Sequence, residues 1–432
     1  MSCRSILLFP LLFTFTHLKP QSAAGLNLQD LINGNQHSVF QEVIQHPKKY
    51  RLQIIYTQID RDRRNSPQFK HHYFHYDPQQ YFNPASMVKL PLAALALEKL
   101  NQLNVKRVDK YTTIQFDSSE AWHKPLYTDN TARNESPSLA HLIRRALLIS
   151  ENDPYNRLYQ FVGQREINQA LHDKGYKEAC ITRQFMGLTL EQNRLTNPVR
   201  FIDENGNLLY AQPALKNTDT FDFTRQILIG KAHMDRNDQL IPMPFDFSQH
   251  NNLSLGSLQQ ILQSILFPKS VPKRQRFQLK EDDYSFLFRY LSQYPSETPY
   301  PKYDASKFTD SYVKFFFRDT VKYAMPEHVR VFNKVGWAYG FLTDVSYVVD
   351  FNLGVEFMLA ATLYVNSDEV LNDGKYEYDA IGYPFLYQLG QTIYQYESRR
   401  KKLFSPDLSA FCITYDKRDP DDQRPSLTEV DN

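Results

Sequence analysis

The apolar positions change period twice in the first hundred residues. Leu28 to Ile44 carries apolar residues at helical spacing, broken by Gly34-Asn35, which predicts one or two short helical pieces. Arg51 to Ile59 is a β-rich run and Phe69 to Tyr76 an alternating one. The polar stretch Arg61 to Pro67 between them predicts an antiparallel hairpin. A helix of strong formers then starts at Ser86, after the turn Asn83-Pro84-Ala85, and runs through Leu100.

The middle of the chain reads as helices joined by long loops. Leu139 to Ile149, Asn156 to His172, Leu253 to Leu266, Asp282 to Tyr294 and Asp310 to Tyr323 carry the helical pattern. Asn205 to Asn252 interrupts it as a loop-rich, aromatic, Pro-bearing stretch. Three runs rich in Val, Tyr, Phe and Leu follow: Val329 to Ala338, Thr343 to Phe351 and Val355 to Tyr364. Turn signals at Tyr339-Gly340 and Asn352-Leu353-Gly354 separate them. Ile381 to Arg400 closes as an amphipathic helix.

Two strands at the start and three at the end predict an α/β (α+β) fold. One antiparallel sheet of about five strands is built from both chain ends and flanked by terminal helices. An all-helical subdomain is inserted over residues 95–328, and a functional cleft is expected at the seam. The organisation expected is one domain over residues 25–415 and an unstructured tail from Asp416, where Asp419-Pro420-Asp421-Asp422 is polar and turn-forming.

The N-terminus reads as an address. Arg4 supplies a positive start, Ile6 to Phe15 a short apolar run, and Ser22-Ala23-Ala24 small residues for cleavage before Gly25. The run is too short to span a bilayer comfortably, and no Cys follows where a lipoprotein signal needs one. A signal peptide over residues 1–24, a secreted or periplasmic protein and no stable membrane anchor are the expectations. With 30 Phe and 28 Tyr against 14 Gly in 432 residues, the chain suits a packed globular protein. A formal net charge of +2 argues for neither nucleic acid nor a membrane surface as partner. Cys180 and Cys412 either pair or remain two separate thiols; oligomeric state is not legible.

Candidate chemistry begins at Ser86-Met87-Val88-Lys89. A hydroxyl and an amine three residues apart share a helix face, so Lys89 can take the Ser86 proton as the hydroxyl attacks a carbonyl. Ser150-Glu151-Asn152, in a turn at a helix end, offers a second hydroxyl and an amide. Lys334-Val335-Gly336 begins a strand; Lys334 can hold positive charge across a cleft, and Gly336 lets a substrate lie along the strand edge. His71 and His75 share a strand face, but four strand residues span about 13 Å, too far for one metal ion. No metal or cofactor is expected. The aromatic run Tyr312 to Phe317 reads as core or cleft lining.

These three motifs in this order resemble the penicillin-recognising serine enzymes. Two opening and three closing strands around a helical insert resemble class A β-lactamases within them. Ser150 lies 64 residues after Ser86, close to the family spacing. The resemblance covers about Leu28 to Arg400 and implies a bacterial hydrolase acting through an acyl-enzyme. Ser86 would be the nucleophile, Lys89 its base or relay, and Ser150 the proton donor to the leaving nitrogen. Asn152 would bind the substrate's amide, Lys334 would orient Ser150 and attract a carboxylate, and the N–H groups of Ser86 and Trp337 would form the oxyanion hole. The substrate implied is a β-lactam or a peptidoglycan-derived amide. The rival readings are a penicillin-binding peptidase or transpeptidase, another amide or ester hydrolase, and an idle binding protein on the same fold.

The resemblance is incomplete. Glu151 stands where Asp is usual, a mild change. Val335 replaces a Thr or Ser, removing a charge-assisted bond to a carboxylate of about 1.5–3 kcal/mol. The family's water-activating Glu lies five residues past the Arg of a Thr-Arg pair; counting from Thr182-Arg183 gives Leu188. Glu191 is the nearby substitute and Glu204 a poorer one. Lys334 lies 184 residues after Ser150, longer than the family needs, and 205–252 supplies the extra chain to cover or extend the cleft.

Overall fold

The computed structural model describes residues 26–319 and 325–430, so the leader expected over residues 1–24 lies outside the described residues. Five long strands form one antiparallel sheet: β1 (Gln53–Arg61), β2 (Pro67–Phe74), β3 (Val329–Ala338), β4 (Phe341–Asp350) and β5 (Val355–Tyr364), in the order β3-β4-β5-β1-β2. Pairing of β1 with β5, Thr57 opposite Met358, joins the two ends of the chain, as expected. Alternate side chains enter separate cores. Ile54, Tyr56, Phe357, Leu359 and Ala361 face one way; Ile55, Ile59, Met358 and Ala360 face the other. With both faces covered, every residue of β4 and β5 is buried, which is why those strands read as near-continuous apolar runs.

The longer helices in chain order are α1 (Leu28–Asn33), α2 (Ser38–Gln45), α3 (Lys89–Leu103), α4 (Leu139–Leu148), α5 (Asn152–Val162), α6 (Gln164–Asp173), α7 (Leu255–Leu266), α8 (Glu281–Ser292) and α9 (Tyr383–Arg399). The terminal helices α1, α2 and α9 cover one face of the sheet, with Phe40 stacked on Phe385 at 5.0 Å. Helices α3 and α7 belong to the core on the other face. Among the described residues no helix is long and apolar enough to cross a membrane.

Four expectations are corrected. The helix expected over Asn156 to His172 is two helices, α5 and α6, broken at Gly163, whose φ of 92° favours glycine. The helix expected from Asp310 to Tyr323 does not form over its described part; a single turn, Phe315–Phe317, stands there, and residues 320–324 lie outside the described residues. Asn333 Nδ2 takes the Val313 carbonyl at 2.8 Å, and the Lys314 ammonium bonds the carbonyls of Leu291 and Val331, which ties this segment outward instead of into its own helix.

The insert is not all-helical either. Thr113–Phe116, Val199–Ile202 and Leu208–Gln212 make a three-stranded antiparallel sheet. The 205–252 stretch also folds into short paired strands, one of which, Ala232–Met234, pairs in parallel with Val370–Leu371. Finally, the tail is placed on the fold. Leu427 N–H donates to the Lys302 carbonyl at 2.8 Å, and its carbonyl accepts from Asp304 N–H at 2.9 Å. Leu427 and Val430 pack against Leu148, Ile149, Tyr303 and Phe308. Apolar residues at its end, not its charged middle, decide where it lies. Cys180 and Cys412 are separate free thiols.

Candidate active site

The turn before α3 sets the first residue. Asn83 Oδ1 accepts the Ala85 N–H at 2.8 Å, and Ala85 takes a φ of 43°, a conformation a side chain adopts at a cost. Ser86 follows inside a short 3₁₀ turn, Ala85–Val88, and Lys89 opens α3. Ser86 and Lys89 thus meet across the junction of two helix types. Lys89 is fully buried, with Nζ 2.8 Å from Ser86 Oγ.

Ser150 sits in the break between α4 and α5 with a φ of 73°. Lys89 Nζ donates to the Ser150 carbonyl, lies 3.4 Å from Ser150 Oγ and 2.8 Å from Asn152 Oδ1. Asn152 thereby engages its oxygen and keeps its Nδ2 for a ligand. From β3, Lys334 Nζ bonds Ser150 Oγ and the Val335 carbonyl, both at 2.8 Å. The polar atoms run Ser86–Lys89–Ser150–Lys334, a chain along which a proton can move between the two hydroxyls.

Burial pushes the Lys334 ammonium down to about 7; nearby Lys314 adds to this, and the Asp344 carboxylate opposes it. Asp344 is itself pushed up to about 6 by burial, and Lys314 down to about 7. Asp344 accepts from Asn333 Nδ2 at 2.9 Å, Ser346 Oγ at 2.7 Å and Phe315 N–H at 3.0 Å. This polar layer lies directly behind Lys334, and the sequence reading missed it. Its signal was available: Lys314, Asn333 and Asp344 each interrupt an apolar run.

A second buttress holds the Ser150 turn. Glu151 is buried and accepts from Arg145 Nε at 3.0 and 3.1 Å and from the Tyr303 hydroxyl at 2.7 Å. Arg145 also bonds Asp129 at 2.9 Å and thereby holds its carboxyl well below the usual range, together with His141. The tail reinforces both ends of this network. Leu427 bridges to Tyr303, and Arg424 donates to the Ala132 carbonyl at 2.6 Å, beside the loop that carries Asp129.

Ser86 and Asn152 open into a cavity of about 760 Å³ that Trp337, Leu188 and residues of the 205–252 stretch also line. Trp337 is held by edge-on contacts with Tyr312 and Phe315 at 6.1 and 5.8 Å, which places the aromatic run in core and cleft lining. Two expected residues are not where the reading put them. Glu191 lies on the single helical turn Leu190–Asn193, with its side chain 78% exposed and paired with Arg194; it does not line the cavity. Gly336 does not line it either. A Cβ there would meet the Pro84 carbonyl at 2.6 Å, so glycine admits the Ser86 turn against the strand rather than a substrate.

Residues 38–216 match the model of the β-lactamase enzyme family. That stretch contains both the Ser86–Lys89 and the Ser150–Asn152 motifs and stops before Lys334. No curated protein matches the chain. Among solved structures it is similar to a β-lactamase from Sphaerobacter thermophilus DSM 20745 (12% identity, 84% of this chain and 98% of that one covered, TM-score 0.45). It is also similar to one from Desulfarculus baarsii DSM 2075 (13%, 85% and 99%, TM-score 0.46). A third is a class A β-lactamase described as the last common ancestor of Gram-negative bacteria (14%, 83% and 100%, TM-score 0.44).

Beside Ser86 the 205–252 stretch builds a wall of the cleft. Phe245, Phe247 and His250 pack on Tyr339 at 5.2–5.9 Å, at the end of β3. Among the described residues no group of three or more His, Cys, Asp or Glu is placed to hold a metal ion.

Proposed function

We propose that the protein is a serine hydrolase of the β-lactamase kind that opens a β-lactam or related amide through an acyl-enzyme on Ser86. The observation that carries this reading is the Lys89 amino group, buried and 2.8 Å from Ser86 Oγ, with Ser150 and Lys334 continuing the chain. In this reading Lys89 takes the Ser86 proton as Oγ attacks the carbonyl carbon, and the lactam C–N bond breaks as Ser150 protonates the nitrogen. The proton Lys89 took from Ser86 passes to Ser150 Oγ, 3.4 Å away, replacing the one given to the nitrogen, while Lys334 holds Ser150 in place. Asn152 Nδ2 and the N–H groups of Ser86 and Trp337 hold the acyl side and the oxyanion. The leader read at the N-terminus would carry this chemistry outside the cytosol.

Release of the acyl group is proposed to be slow. Leu188, an apolar side chain, lines the cavity where a water-activating carboxylate would be needed, and Glu191 points to solvent. That favours, as a second reading, a penicillin-binding peptidase or transpeptidase whose acyl group waits for an amine acceptor. Labelling with a fluorescent penicillin tests both: the wild type is expected to give a covalent adduct that Ser86→Ala does not. Rapid turnover without an adduct favours the lactamase; absence of both, with intact fold, supports another substrate or a binding protein.

A further inference from the structure

The wall built by residues 233–251, together with Arg183 beside it, brings four charged residues to the lining of the Ser86 cavity: Arg183, Asp235, Arg236 and Asp246, the last two exposed. None of these four wall charges has an oppositely charged side chain within ion-pair distance among the described residues. Arg183 Nη1 bonds His250 Nε2 at 2.8 Å, and its Nε is buried with no hydrogen-bond partner. His250, pushed down to about 3 by burial and by Arg183, is neutral and offsets none of that charge. Asp235 accepts the N–H groups of Asn237 and Gln239, and Asp246 that of Ser248; these bonds hold both carboxyls below their ordinary range.

The backbone of the wall is tied down at several points. Ala232 and His233 pair with Val370 and Leu371, Asn372 Nδ2 bonds the Met234 carbonyl at 3.3 Å, and the aromatic cluster on Tyr339 ties the base of the wall to β3. Trp337, which also lines the cavity, is packed on aromatic rings. Two positive and two negative groups lining one cavity complement a ligand end that carries one charge of each sign.

We infer that this wall recognises an acyl group ending in both an ammonium and a carboxylate, the carboxylate on Arg183 and Arg236 and the ammonium on Asp235 and Asp246. The inference rests on the acyl-enzyme reading at Ser86 and names what the acyl group carries. No further step is added to the chemistry; the wall sets which substrate presents its carbonyl to Ser86.

The test uses three cephalosporins with the same nucleus and the same acetoxymethyl arm. Cephalosporin C has an aminoadipyl side chain with both charges, glutaryl-7-aminocephalosporanic acid has the carboxylate alone, and cephalothin has neither. Acylation rate constants are read by intact-protein mass, and binding to Ser86→Ala by calorimetry. Cephalosporin C is expected to acylate the full chain about tenfold faster than cephalothin, with the glutaryl compound between them. Arg236→Ala is expected to shrink the cephalosporin C to cephalothin ratio, and Asp235→Asn the cephalosporin C to glutaryl ratio. Equal rates for the three, or ratios unmoved in the variants, overturn the inference while leaving acylation at Ser86 intact. If no cephalosporin acylates, the Ser86 reading fails for lactams. The wall is then judged by binding alone: about tenfold tighter binding of cephalosporin C to Ser86→Ala supports it, and equal or no binding overturns it.

Discussion

The two sides of the Ser86 cavity are built to different standards. On one side the polar groups are linked to one another: Lys89 touches Ser86, Ser150 and Asn152, and Lys334 touches Ser150. Behind them lie two further polar layers, around Asp344 and around Glu151. On the other side, where a deacylating water would need a base, the chain offers Leu188, with Glu191 turned away to Arg194. The difference separates two halves of one reaction. In the proposed acyl-enzyme reading, the residues that would form a covalent bond are pre-organised, and those that would break it with water are not. Backbone strain follows the same division, because Ala85, Ser150 and Tyr339, each at a positive φ of 43°, 73° and 54°, bring Ser86, the Lys334 partner and Trp337's strand end to the cleft.

The comparison breaks most easily at Lys89. Lys89→Met keeps the packing but removes the proton acceptor, so the acylation rate is expected to fall about 10²- to 10⁴-fold, read by stopped-flow labelling. A loss of less than threefold would show that the polar chain does not assist Ser86 (the threefold bound is roughly 0.7 kcal/mol). The complementary change is on the poor side. Leu188→Glu places a carboxylate on the cavity wall and is expected to speed release of the acyl group about tenfold or more, measured as decay of the labelled species. Unchanged decay would mean that another group limits release.

Titration sharpens the same contrast. Lys334 with its pKa near 7 holds Ser150 best when charged, so acylation is expected to decline as pH rises through about 7. Asp344 favours the charged form of Lys334, and Asp344→Asn is expected to move that decline to lower pH. A decline that stays in place would detach Asp344 from Lys334. For stability the sign is separate: a lysine whose folded pKa lies below its unfolded value favours the folded state at high pH, and that advantage is lost as pH falls from about 10 through 7.

The smallest effect concerns the tail. Removing residues 416–432 takes away the Leu427 bridge to Tyr303 and the Arg424 bonds around Ala132. The Ser150 turn is then held by fewer partners, and acylation is expected to slow about fivefold, with the labelled site unchanged. If the truncated chain acylates at the full rate, the tail only covers apolar surface.

Much of this was legible in the chain because burial imposes clear patterns. The strands β3, β4 and β5 were readable within a few residues, since two covered faces require continuous apolar runs. Ser86, Lys89, Ser150, Asn152, Lys334 and Trp337 converge on the seam where the motifs placed them. What was not legible depends on partners distant in sequence. Lys314 takes the Leu291 and Val331 carbonyls, so a stretch with helical spacing becomes a single turn. Gly336 looked like room for substrate, but the space belongs to Pro84. The tail looked solvated because its charges dominate, yet Leu427 and Val430 decide its position. The two- and three-residue strands between Leu228 and Asp246 are too short to carry any period, and they form the wall that reads as loop in the sequence.

The account turns on a covalent Ser86 adduct that forms readily and leaves slowly. Intact-protein mass of the full chain after mixing with benzylpenicillin, followed over time with peptide mapping, measures both. The result predicted is a single added penicilloyl mass on the peptide containing Ser86, absent in Ser86→Ala and persisting long after free penicillin is removed. An adduct on another residue, or an unmodified wild type that binds the penicillin reversibly, would contradict it.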